Sequence, residues 1–148
     1  MLLNLCHSFI PQDKCFKEAG QCYINALRDI IPIIEPGDGE DVVLDELKTN
    51  LYSNLAACQL KLHQYDRVII NCNKSLEINN DNVKCLYRRA NAFLEQKDKE
   101  SAEKDIKRIL ELEPENSAVK ELGTKLTSLK MDADSRDAAI MKNYFAAS

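Results

Sequence analysis

Residues 49–82 read TNLYSNLAACQLKLHQYDRVIINCNKSLEINNDN, and residues 83–116 read VKCLYRRANAFLEQKDKESAEKDIKRILELEPEN. The two stretches are equal in length, and the shift that carries Thr49 onto Val83 lays one on the other. Ala56 then falls on Ala90, Leu76 on Leu110 and Asn82 on Asn116. Apolar character is kept where identity is not, as with Tyr52 on Leu86 and Leu60 on Leu94. The period, about 34 residues, is that of a helix–turn–helix unit. Self-similarity of this kind marks stacked supersecondary units, each burying its apolar stripe against its neighbours.

Within each unit the apolar residues recur at helical spacing. Leu51, Tyr52, Leu55, Ala56 and Leu60 predict a first helix, with small Ala56 admitting a close neighbour. His63-Gln64 makes a turn, and Tyr65, Val68, Ile69, Cys72 and Leu76 predict a second helix. Asn79, Asn80 and Asp81 close the unit, as turn-forming residues do. In the following unit Leu86, Ala90, Phe93 and Leu94 face inward, Lys97-Asp98-Lys99 turns, and Ala102, Ile106, Ile109 and Leu110 face back. Pro114 stops the last of these helices.

The flanks extend the pattern. Phe16 to Ala19 with Tyr23, Ala26 and Leu27 predict the second helix of an incomplete earlier unit, running toward Ile31 and broken or kinked at Pro32. Its first helix would span Leu2 to about Ile10, ended by Pro11. Glu35 to Asp41 is an acidic loop, and Val42 to Lys48 extends the next helix. Beyond Asn116, Val119, Leu122, Leu126 and Leu129 form one stripe, as expected of a helix capping an open apolar edge. The expected organisation is therefore a partial repeat at 1–34, a linker at 35–41, repeats at 49–82 and 83–116, and a capping helix at 118–130. Residues 131–148 form a tail, helical or mobile, whose Ile140, Met141, Tyr144 and Phe145 could dock on the stack.

Composition agrees with an all-α chain. Only four Gly and four Pro occur in 148 residues, and 45% of the residues are hydrophobic, enough to fill a core. The net charge of −4 argues against a general nucleic-acid binder, although a local basic patch remains compatible with it. The six cysteines include no C-x-x-C pair, and His7 and His63 form no ligand pair, so no metal site or cofactor is expected. All six thiols are expected to be reduced and mostly buried. The N-terminal apolar run is too short for a signal peptide, and no stretch approaches the ~18 apolar residues of a membrane span. No catalytic motif is present, so no catalytic residue is assigned. His63 reads as an exposed turn residue, and Asp45/Glu46 and Asp132/Asp134 as solvated helix faces.

The candidate site lies on the first helices of the two full units. Lys84 and Arg88 are spaced i,i+4 and project together. Asn54 stands one full repeat before Arg88, in the same slot of the preceding unit. Two cations and an amide suit a carboxylate, because charge-assisted bonds to an anion are the strong ones. The same residues read equally as ordinary solvated cations on a helix face.

Ser53–Leu62 (SNLAACQLKL) and Asp81–Ala90 (DNVKCLYRRA) resemble stretches of the tetratricopeptide-repeat (TPR) domains of FKBP-type immunophilins and related co-chaperones. The long first helix and the acidic linker are also similar to that group. The resemblance implies a right-handed α-solenoid of about three repeats plus a capping helix. It also implies binding of the acidic C-terminal tail of a cytosolic heat-shock chaperone through a carboxylate clamp, in the cytoplasm and also the nucleus. Asn54 matches the second-repeat Asn of that clamp, and Lys84 and Arg88 match the third-repeat Lys and Arg. In the first repeat, Asn4 and Ser8 occupy the slots of the family's Lys and Asn, so the clamp is half-built there and its first-repeat contacts weak. The immunophilins' prolyl isomerase domain has no counterpart in these residues and would lie upstream in a longer protein. The alternative is a repeat scaffold for another protein or for self-association.

Overall fold

The computed structural model describes residues 12–33 and 42–146. Helix α1 spans Gln12–Ile30 and runs into a 3₁₀ turn, Ile31–Ile33, where Pro32 lies. There follow α2 (Val42–Lys61), α3 (Tyr65–Ile78), α4 (Val83–Glu95), α5 (Lys99–Leu112) and α6 (Ser117–Ala146). The architecture is an all-α solenoid: each helix packs on the next in order, and α2 on α4 and α4 on α6 also touch. The expected first helix at 2–10, with Asn4 and Ser8, and the loop at 35–41 lie outside the described residues. No helix among the described residues is long and apolar enough to cross a membrane.

The two full units close their first helices in the same way. His63 and Lys97, which share one slot of the repeat, have φ of 56° and 62°. In each case the next amide bonds back across the turn, Gln64 to the Gln59 carbonyl and Asp98 to the Phe93 carbonyl, both at 2.9 Å. A left-handed residue with such a bond is the Schellman way of ending a helix. Two of the following helices start on side-chain caps. Asn82 accepts from the Cys85 amide at 3.2 Å, and Asp98 from the Ser101 amide at 3.1 Å.

The core is continuous along the stack. Ala56 and Ala90 are fully buried, as are Val68, Cys72, Cys85, Ala102 and Ile109. Leu110 departs from expectation: it is 39% exposed, whereas Leu76, its counterpart in the preceding repeat, is 9% exposed. Both lie at the margin of their stripe. A complete helical pair follows Leu76 and covers it, but a single helix follows Leu110. Polar groups inside the stack are bonded across helices. Asn71 donates to Gln59 Oε1 at 2.8 Å, and Ser75 donates to the Thr49 carbonyl at 3.1 Å.

The expected capping helix and tail form one helix. Val119, Leu122 and Leu126 of α6 are buried against the last unit, and Lys130 bonds Glu103 at 2.8 Å. Farther on, Met131, Ile140 and Met141 are all more than half exposed, so this stretch is not docked on the solenoid. Cys22, Cys58, Cys72 and Cys85 are free thiols, but Cys15 is disulfide-bonded, which corrects the expectation of six reduced cysteines. Scatter along the chain was the wrong criterion, because a disulfide depends on the approach of two Cβ atoms in space and not on sequence spacing.

Candidate carboxylate-binding cleft

Helices α2 and α4 lie side by side and enclose a cleft of about 450 Å³. Lys84, Tyr87, Arg88 and Asn91 line it from α4, and Ala57, Leu60 and Lys61 from α2. Three cations face one concavity, and no carboxylate lines it. In a chain of net charge −4 this is a local positive site with partly apolar walls.

The structure brings Lys84 and Arg88 together as the i,i+4 spacing predicts. Lys84 is exposed and Arg88 half-buried. Asn54 is exposed on α2 but is not among the lining residues. It adjoins Ser53, which takes Arg88 Nη1 on both its carbonyl (2.9 Å) and its hydroxyl (2.5 Å). Lys61, Tyr87 and Asn91 were missed by the sequence reading. Two of them carried a signal: Lys61 follows Asn54, and Asn91 follows Lys84, by two helical turns, which puts each pair on one face.

Beneath the cleft lies a buried polar layer. Burial pushes the Cys58 thiol up, with Arg88 pulling the other way. The hydrogen bond shared by Cys72 and Cys85 moves the two thiols apart: Cys72 is raised, burial adding to the effect, while Cys85 is held below the ordinary thiol range. Bonds from Ser53 and Ser75 and the Arg88 charge also lower Cys85. On another face of α4, the Asp105 carboxylate beside Arg89 raises that guanidinium. His63 is exposed at its turn, with Nδ1 2.8 Å from the Tyr65 hydroxyl. Among the described residues no group of three or more His, Cys, Asp or Glu side chains could hold a metal ion.

Residues 83–116 match the family model described as tetratricopeptide repeat. The "FK506-binding protein-like" protein of Mus musculus is 39% identical over 103 residues, covering 70% of this chain. The match spans 28% of that relative's length. Among solved structures, the Hsp90 co-chaperone Cns1 from Saccharomyces cerevisiae superposes with a TM-score of 0.74 at 27% identity, over 88% of this chain and 39% of that one. The first TPR of Spaghetti (RPAP3), bound to the HSP90 peptide SRMEEVD, superposes with a TM-score of 0.62 at 24% identity, over 83% and 85%. At that identity it speaks for the fold alone. The chain thus carries a match to the tetratricopeptide repeat at residues 83–116, and it is similar over most of its length to part of an FK506-binding protein-like relative and to the fold of an Hsp90 co-chaperone.

Proposed function

We propose that this chain is a protein-binding module that takes the acidic C-terminal tail of a heat-shock chaperone into the α2/α4 cleft. It catalyses nothing itself and works in the cytoplasm, with the nucleus as a second place of action. The carrying observation is the convergence of Lys84 and Arg88 on one cleft free of carboxylates. A C-terminal acidic residue offers two carboxylates close together, one on its side chain and one on its main chain. Lys84 and Arg88 meet that charge, Lys61 adds to it, and Asn54 contributes an amide from the neighbouring helix. One structural neighbour supports the reading: Cns1, 27% identical over the matched residues, is an Hsp90 co-chaperone. Asn4 and Ser8 supply no cation from the first repeat, which places affinity below that of a full clamp. In a reducing compartment Cys15 would exchange toward the free thiol.

Calorimetric titration with the peptide SRMEEVD and with its C-terminal amide tests this. The free acid is expected to bind, more weakly as salt rises, and the amide to bind much less. A hydrogen bond to a charged group contributes about 1.5–3 kcal/mol, so Arg88→Ala or Lys84→Ala is expected to weaken binding roughly tenfold or more. Equal binding of acid and amide, or no effect of either substitution, would reject the cleft as a carboxylate site. The exposed Met131, Ile140 and Met141 favour a second reading, self-association through α6. Sedimentation over a concentration series distinguishes it, since a monomer throughout excludes it.

A further inference from the structure

We infer that Ser53 is a positioning residue for Arg88, fixing the guanidinium so that its Nε–Nη2 edge is the one offered to an incoming carboxylate, a role that presupposes the peptide-binding reading above. A guanidinium has five N–H donors in a rigid plane. Both protons of Arg88 Nη1 are taken by Ser53, one by its carbonyl at 2.9 Å and one by its hydroxyl at 2.5 Å. Both acceptors belong to one residue within α2, and that residue is only 4% exposed, so the anchor is stiff.

What remains free is the opposite edge. Nε–H and one Nη2–H point in parallel and match the two oxygens of a carboxylate. The adjacent Arg89 shows that edge at work. Its Nε donates to Asp105 Oδ2 at 2.8 Å and its Nη2 to Oδ1 at 2.6 Å. Among the described residues the same edge of Arg88 has no partner, and Arg88 lines the cleft.

The Ser53 hydroxyl accepts from Arg88, and its side chain also helps hold the Cys85 thiol on α4 below its ordinary range. Ordering a long side chain ahead of time removes part of the entropy lost on binding. The carbonyl anchor survives removal of the hydroxyl, so the expected effect is a moderate loss of affinity, not abolition.

Nitrogen-15 relaxation at the Arg88 Nε–H bond, measured on the whole chain without peptide, tests the anchor directly. Arg88 is expected to be far more rigid than exposed Arg136, and a mobile Arg88 in the unmutated chain would overturn the assignment without recourse to any variant. Ser53→Ala is expected to loosen Arg88 and to weaken SRMEEVD binding roughly three- to tenfold. Ser53→Thr, which keeps the hydroxyl, is expected to restore both. If Ser53→Ala leaves Arg88 rigid, or loosens it with affinity unchanged, Ser53 is structural only. Failure of the unmutated chain to bind the peptide would instead bring down the binding reading itself.

Discussion

Arg89 stands about 100° round α4 from Arg88, and there it grips the two oxygens of Asp105, a carboxylate only 6% exposed. Asn73 takes a further bond from Nη1 at 2.7 Å. Truncating Arg89 would leave Asp105 charged, buried and unpaired. Arg89→Ala is therefore expected to destabilise the fold by roughly 3 kcal/mol, read by urea denaturation. The double change Arg89→Met with Asp105→Leu is expected to cost far less, because it leaves no orphaned charge. Equal losses from the single and double variants would mean that packing, not charge, dominates here. Arg88→Ala removes two bonds to Ser53 but orphans no charge, so it is expected to cost less stability than Arg89→Ala while weakening peptide binding roughly tenfold or more. On the proposed reading, two adjacent arginines thus separate into one that neutralises a buried carboxylate and one anchored on Ser53 with an edge free for a ligand, a division that the dipeptide alone does not reveal.

Helix α6 contains two segments of different consequence. Val119, Leu122 and Leu126 are buried, whereas Met131, Ile140 and Met141 are exposed. Ending the chain after Lys130 is expected to change stability by less than about 0.5 kcal/mol. Ending it after Asn116 uncovers the last unit and removes three buried side chains at about 1.5–3 kcal/mol each, so the shortened chain is expected to melt far earlier. Circular dichroism melts of the two truncations check this, and similar melting of both would contradict the capping role. The stripe at Val119 to Leu129 made the cap legible in sequence, as the self-similarity of the two repeats did for α2 to α5. The continuity of α6 was not legible, because an undocked helix carries no periodic burial. Leu110 was misplaced because its exposure depends on the size of the element that follows. For the cleft, Lys84 and Arg88 were readable from their own spacing. Ser53 was not, since a mid-helix serine says nothing of an arginine on a different helix.

At the scale of the whole molecule, α4 packs against α2, α3, α5 and α6, so among the described residues the cleft is built on a helix held by four neighbours. The turns at His63 and Lys97 repeat one left-handed geometry without glycine. An L-residue held there carries a strain of about 1–2 kcal/mol, which glycine relieves. Lys97→Gly is expected to stabilise the chain by about 1 kcal/mol, raising the melting temperature by roughly 2–4 °C. His63→Gly is expected to give less, since it also loses the bond to Tyr65. A lower melting temperature for Lys97→Gly would show that the turn is not strained. Neither residue lines the cleft between α2 and α4. If the cleft is the recognition surface proposed above, the solenoid has mutational headroom outside it: a glycine at either turn could compensate a costly exchange in the groove, letting ligand preference diverge while the scaffold stays folded.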